Sequence, residues 1–238
     1  MRPFFCLLLL LGLAWRPGSA QSTVAATELV DAKTVRAWTV KDAGSYAGVY
    51  HFGVSEAESN LILCVDAGLI TAQIVSGHWS AKSQWIADYQ NLRNVRVTGN
   101  KFAAEGLSGE FISYVDEEGQ RTFGLRIRQP WSGSVGKGQW EVGSRSSDLP
   151  TYFDYPFGFV SYRLLKPAEL QARSPAELAL MRNELFARYG FIFAKGGAMD
   201  QHFRRFDWYR PQHRDISGFL TEIEKRNLEL IRQQEART

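Results

Sequence analysis

The sequence is poor in groups that crosslink or coordinate. It holds two cysteines, and one of them, Cys6, lies in an N-terminal stretch that reads as a leader. With that stretch removed Cys64 stands alone, which excludes an intramolecular disulfide. The four histidines, His51, His78, His202 and His213, show no ligand spacing. With a single thiol beside them, no metal site and no cofactor is expected. Charge of one sign is also lacking. There are 28 Lys and Arg against 25 Asp and Glu, and the leader accounts for Arg2 and Arg16 and no acid, so the balance after cleavage is close to neutral. Neutrality argues against steering toward nucleic acid or anionic lipid. Long hydrophobic runs are missing too: beyond the leader, no segment approaches the roughly 20 apolar residues that a membrane-spanning helix needs.

The leader itself, residues 1–20, has the anatomy of a signal peptide. Arg2 supplies a positive start, Phe4 to Trp15 an apolar run of about twelve residues, and Pro17, Gly18, Ser19 and Ala20 a small-residue cleavage zone. Cys6 opens the apolar run, whereas a lipidated cysteine follows its end. The expectation is an exported protein, soluble after cleavage, in the periplasm or outside the cell. Residues 21–43 form a tether or a short helix.

Residues 44–165 have β texture. Runs rich in aromatic and β-branched residues are Ser45–Phe52, Asn60–Val65, Leu69–Val75, Val95–Thr98, Lys101–Ala104, Gly109–Val115, Thr122–Arg128, Gln139–Gly143 and Gly158–Leu164. Asp66-Ala67-Gly68, Gly99-Asn100 and Asp116-Glu117-Glu118-Gly119 supply the turns between them. Phe123, Leu125 and Ile127 alternate with polar neighbours, the pattern of an antiparallel sheet with one wet face. Eight or nine such strands without a long crossover predict a meander closed into a barrel, the form we favour, or folded into a sandwich. Ser76–Asn91 does not alternate, and a helical turn is expected at Trp85–Tyr89. Cys64, in the apolar run Leu61–Val65, is expected as a buried thiol.

From residue 166 to 238 the texture is helical, making the fold class α+β. Ser174-Pro175-Ala176-Glu177 is a capping box with proline at the first helical position. The helix it opens carries Leu178, Met181 or Arg182, Leu185 and Tyr189 on one stripe and ends at Gly190. Ala198–Phe206 could form a short helix. Thr221-Glu222-Ile223-Glu224 is a second capping box, leading into a helix with Leu220, Ile223, Asn227, Leu230 and Ile231 on one side.

Within this part, Arg182-Asn183-Glu184-Leu185-Phe186-Ala187-Arg188-Tyr189-Gly190-Phe191-Ile192-Phe193 resembles the signature of the YARHG domain, which reads approximately Arg-Asn-Glu-Ile-Tyr-Ala-Arg-His-Gly-Tyr-x-Phe. The likeness continues through Phe203, Trp208-Tyr209 and Ile223-Glu224-Lys225-Arg226-Asn227, over about residues 175–233. Phe186 and Tyr189 replace the signature's Tyr and His, so no imidazole is on hand at that position. The resemblance implies an extracytoplasmic bacterial module, usually appended to other domains, with no settled activity.

The motif residues admit two roles. Asn183 and Asn227 would fix loop carbonyls from facing helices while Arg188 binds carbonyls or Glu184, four residues earlier. In the other role Arg188 with Trp208 and Tyr209 grips an anionic or sugar ligand of the cell wall. Motifs of known catalysts do not hold. Ser134 and Lys137 match a Ser-x-x-Lys pattern, but in a glycine-rich hairpin that cannot place them one helical turn apart. The same stretch lacks the spacing of a phosphate loop. Glu56 and Glu58 read as solvated loop charges. The aromatic set Trp79, Trp85, Tyr89, Trp131 and Trp140 either fills the core or walls a ligand site. The resulting expectation is a non-catalytic envelope protein whose β module binds a small amphiphile or a cell-wall glycan. The alternatives are a hydrolase of an envelope polymer, using carboxylates such as Glu110 and Glu141, and a scaffold that docks another envelope protein.

Overall fold

Short strands with turn chemistry between them build one antiparallel sheet. The computed structural model describes residues 30–129, 131–132 and 139–237. The leader, residues 21–29 of the tether and the Ser134–Lys137 match lie outside them. Ten strands follow in order: β1 (Arg36–Ala37), β2 (Gly48–Phe52), β3 (Ser59–Asp66), β4 (Leu69–Trp79), β5 (Trp85–Asn91), β6 (Arg96–Thr98), β7 (Lys101–Ala104), β8 (Leu107–Val115), β9 (Arg121–Ile127) and β10 (Glu141–Ser147). The sheet order is β5-β4-β3-β2-β10-β9-β8-β7-β6, with β1 pairing on β8. Two meanders are thus joined where β2 meets β10, and the sheet curls into a half-barrel. Its end strands, β5 and β6, are neighbours in sequence but do not pair. At the β3–β4 turn Ala67 and Gly68 both take positive φ, 46° and 80°, the two-residue geometry whose twist suits a hairpin.

The concave face is filled by side chains. Tyr46, Tyr50, Phe52, Phe102, Phe111 and Leu125 are each at most 1% exposed. Tyr46 stacks on Phe111 with centroids 4.0 Å apart. The convex face of β2 and β3 is buried as well: Val49, Ile62 and Cys64 pack against Leu149, Phe153 and Ile223. That second layer comes from the helical part, comprising α1 (Leu149–Tyr152), α2 (Pro167–Gln171), α3 (Pro175–Arg188), α4 (Ala198–Phe203) and α5 (Glu222–Glu235). Both capping boxes form. Ser174 Oγ accepts from the Glu177 N–H at 3.3 Å while the Glu177 carboxylate accepts from the Ser174 N–H at 2.8 Å. Thr221 and Glu224 do the same at 3.3 and 2.8 Å. Leu178, Met181, Leu185 and Tyr189 are buried on one stripe of α3, as their spacing predicts.

Two expectations are corrected. Trp85–Tyr89 is strand, not a helical turn: β5 pairs along β4 from Trp79↔Trp85 to Gln73↔Asn91. The alternation is broken only at its start: Trp85, Ala87 and Tyr89 share one face, and the apolar Ile86 shares the other with the polar Asp88 and Gln90. Gly158–Leu164 is not a strand. Gly158–Ser161 is a 3-10 turn, and the chain after it is held by side chains. Asn227 donates to the Val160 and Arg163 carbonyls, each at 2.7 Å, and accepts from the Leu165 N–H at 2.8 Å. Asp66 accepts from the Leu164 N–H at 2.7 Å. Backbone groups bonded this way have no need of a ladder. Residues 30–43 hold no α-helix; β1 and the 3-10 turn Ala43–Tyr46 are their regular elements.

Cys64 is 3% exposed. Burial, reinforced by the Glu224 charge, pushes its thiol up to about 12. The thiolate is the reactive form, so a disulfide-exchange reagent at pH 8 should modify Cys64 no faster than the protein unfolds, and at once in denaturant. Rapid modification of the native chain would contradict the two-sided burial of β3.

Candidate functional site

The convex face of the β4–β5 hairpin and the loops of the helical part enclose a cleft of about 780 Å³. Trp85 and Tyr89 form one wall, four residues apart on a strand and therefore on one face. Arg188, Trp208, Arg210 and Gln212 form the other. Gln212 ties the walls together: its amide donates to the Trp85 carbonyl at 2.7 Å and accepts from the Ala87 N–H at 3.2 Å. The His213 ring meets the Ala87 carbonyl at 3.1 Å. Gly190 makes this approach possible. Its φ of +67° and the 2.5 Å that a Cβ would leave to the Arg210 carbonyl both call for glycine. Its own carbonyl accepts from the Gln212 and His213 N–H groups at 2.7 and 2.9 Å.

A hollow of about 280 Å³ lies against the same residues, sharing Tyr89, Arg188 and Trp208 and adding Tyr152, Tyr155 and Gln73. Arg188 sits 4.5 Å above the Phe153 ring and 5.6 Å from that of Tyr155. Its guanidinium donates to Ser161 Oγ and lies 3.6 Å from Glu224. Glu224 is buried, accepting from Ser161 at 2.5 Å and from the Tyr189 hydroxyl at 2.6 Å. None of the described residues lining the cleft or the hollow is acidic.

The sequence-derived aromatic set does not form one site. Trp85 and Tyr89 reach the cleft. Trp79 meets Trp85 edge-on at 5.4 Å at the end of the hairpin, 54% exposed. Trp131 packs on Phe52 and donates to Ser59 at 2.5 Å. Trp140 lies under the guanidinium groups of Arg126 and Arg128, at 4.3 and 4.7 Å. Of the motif residues, Arg188, Gly190 and Trp208 line the cleft. Tyr189 and Tyr209 are buried, the latter donating to the Phe191 carbonyl at 2.7 Å. Asn183 donates back to the Ala179 carbonyl within α3, and Asn227 ties down the loop before α2. Arg188 pairs with Glu224 and not with Glu184, which instead accepts from the Phe157 N–H at 2.8 Å; burial raises the Glu184 pKa. Tyr152, Tyr155, Arg210 and Gln212 were not picked out by sequence reasoning. The one signal was the density of aromatics in Tyr152-Phe153-Asp154-Tyr155-Pro156-Phe157.

The carboxylates named for hydrolysis do not face each other. Glu110 lies across from Arg126 on β9, whereas Glu141 lies across from Ile127, so they point to opposite faces of the sheet. Hydrogen bonds from Lys101 and Arg126 hold the Glu110 carboxyl below its usual range. Glu141 is fully buried, accepting from the Trp131 N–H at 3.0 Å. Glu56 and Glu58 are exposed, Glu56 accepting from Trp79 at 3.1 Å.

Residues 153–236 match the YARHG domain, which is typically found in exported proteins. The C-terminal third of the chain is thus a YARHG domain, and the match begins at Phe153, in the segment that packs on the convex face of the sheet. Comparison with curated proteins and with solved structures returned no significant match. Among the described residues, no helix is long and apolar enough to cross a membrane.

Removing one member of a buried ion pair costs about 3–5 kcal/mol, because the other charge is left without compensation. Arg188→Met should therefore lose stability on that scale in chemical denaturation, and Arg188→Met with Glu224→Gln should recover a large part of it. A single variant that melts like the parent chain would show that the pair is not buried as described.

Proposed function

We propose that this chain is a non-catalytic binding protein of the bacterial envelope, acting in the periplasm or outside the cell, and that the cleft between β5 and the YARHG domain holds a fragment of the cell-wall glycan. One observation carries the reading: Trp85, Tyr89 and Trp208 converge with Arg188, Arg210 and Gln212 on a cleft with no acidic residue in its described lining. Flat aromatic faces take the C–H faces of sugar rings, and amide and guanidinium groups satisfy hydroxyls and carboxylates. The location differs from that expected of a barrel. The concave face is filled by its own aromatics, which supports a ligand site on the convex side, where strand and helical residues meet. A small amphiphile fits less well, since the cleft mixes its aromatics with two arginines and two glutamines.

Titrating the intact chain with the acidic disaccharide released from a bacterial wall, while following tryptophan fluorescence, tests this. We expect a saturable change that Trp208→Ala weakens by roughly tenfold, in line with the 1 kcal/mol or so that a stacking ring contributes. A flat titration, or one unaffected by Trp208→Ala and Arg210→Ala together, would remove the proposal.

A further inference from the structure

Three donor groups line the hollow beneath the cleft with hydrogen-bonding capacity to spare. The phenols of Tyr152 and Tyr155 line it, and neither hydroxyl has a hydrogen-bond partner among the described residues. Arg188 lines it too. Ser161 occupies one guanidinium N–H, and Glu224 at 3.6 Å lies beyond hydrogen-bonding distance, so further N–H groups remain for a ligand. The Gln73 amide at its wall is already committed, donating to the Phe219 carbonyl at 2.6 Å and to Asn91 Oδ1 at 3.0 Å. Tyr152 and Tyr155 are half-buried, and the hollow offers about 280 Å³, more than a few waters need, so an acceptor on a ligand can reach these donors.

We propose that this hollow is the acid-reading subsite of the cleft, in which Arg188 and the hydroxyls of Tyr152 and Tyr155 together hold one carboxylate of the ligand. This rests on the glycan reading and names the group that the cleft selects: an acidic sugar over a neutral one. A carboxylate suits the hollow better than a phosphate. Glu224 stands behind Arg188 and already offsets part of its charge, so the site can neutralise one negative charge more readily than two. Phenols also serve as donors to a carboxylate without adding charge. Burial raises the Tyr152 phenol against the pull of the nearby Arg188 charge, so it keeps its proton at neutral pH. The rings that carry these groups are fixed: Tyr152 packs edge-on against Phe153 at 4.9 Å and Tyr155 against Trp208 at 4.8 Å. The subsite is therefore formed before the ligand arrives, which spares the entropy of ordering it.

The test uses the full chain and two probes, the acidic wall disaccharide and its methyl ester. The ester should bind roughly tenfold or more weakly, the loss expected when hydrogen bonds to a charged group are removed. Tyr152→Phe and Tyr155→Phe keep the rings and the packing. Each should weaken the acid about three- to tenfold and leave the ester unchanged. Equal binding of acid and ester, or phenylalanine variants that hold the acid as tightly as the parent, would overturn the subsite while leaving the glycan cleft intact. Displacement of the acid by inorganic phosphate but not by acetate would overturn the choice of carboxylate. Failure of both sugars to bind would remove the cleft reading and the subsite with it.

Discussion

A carboxylate taken out of water must have its lone pairs met, and Glu224 shows how much structure that requirement can organise. As the third residue of the α5 capping box it accepts the Thr221 N–H, a local task that sequence spacing alone assigns to it. Yet Glu224 is 1% exposed, and its remaining capacity is met from far along the chain, by Ser161, Tyr189 and the charge of Arg188. The Tyr189 hydroxyl in turn lies 3.3 Å from Gln73 on β4, whose amide donates to the Phe219 carbonyl. A cap at one helix thus fixes the end of α3, the turn after Phe157 and the convex face of the sheet in one arrangement. In a low-dielectric interior such a network is intolerant of partial formation, because each missing partner leaves a buried charge or donor exposed to nothing.

The same two-sided burial explains the composition of β3. A strand with one wet face alternates, but Leu61-Ile62-Leu63-Cys64 is apolar throughout, since Leu61 and Leu63 face the half-barrel core while Ile62 and Cys64 face the helical layer. β9 is the contrast: Leu125 and Ile127 are buried while Arg126 reaches out to Glu110. Continuous and alternating strands within one sheet thus mark where the YARHG domain lies and where it does not. The YARHG domain here is a packed layer of the fold, and its Ile223 is as fully buried against the sheet as any residue of the half-barrel core.

What the sequence disclosed and what it concealed divide along the range of the forces involved. The two capping boxes, Gly190 and the hairpin turn at Ala67-Gly68 are local chemistry, decided within four residues, and all were readable. So was the alternation of β9. β5 differs from the expectation because Trp85-Ile86-Ala87 is an apolar run that breaks the period at the strand's start, and the helical layer over Trp85 and Tyr89 is non-local. Gly158–Leu164 misled in the opposite direction. Its Phe159 and Val160 look like strand residues, but their side chains answer to the helical core and the Val160 carbonyl to Asn227, a residue more than sixty positions away. The candidate site suffered the same limit. Trp85, Tyr89, Arg188 and Trp208 each drew notice, in two separate groups, and nothing short-range could say that the groups meet.

That meeting has a physical logic. The filled concave face leaves the half-barrel no interior to offer a ligand, and a small helical layer alone has too little depth to enclose one. Two convex bodies packed together do leave a crevice at their margin, and its walls are built from residues each body needs to expose somewhere. Here the margin collects the apolar faces that β5 cannot hide fully, together with an arginine whose charge is only partly met by Glu224. The residues that lock the helical layer and those that line the crevice are then neighbours: Arg188 is both. Any ligand that binds through Arg188 therefore engages the ion pair that ties α3 to α5, so binding strength and the packing of the helical layer are coupled through one side chain.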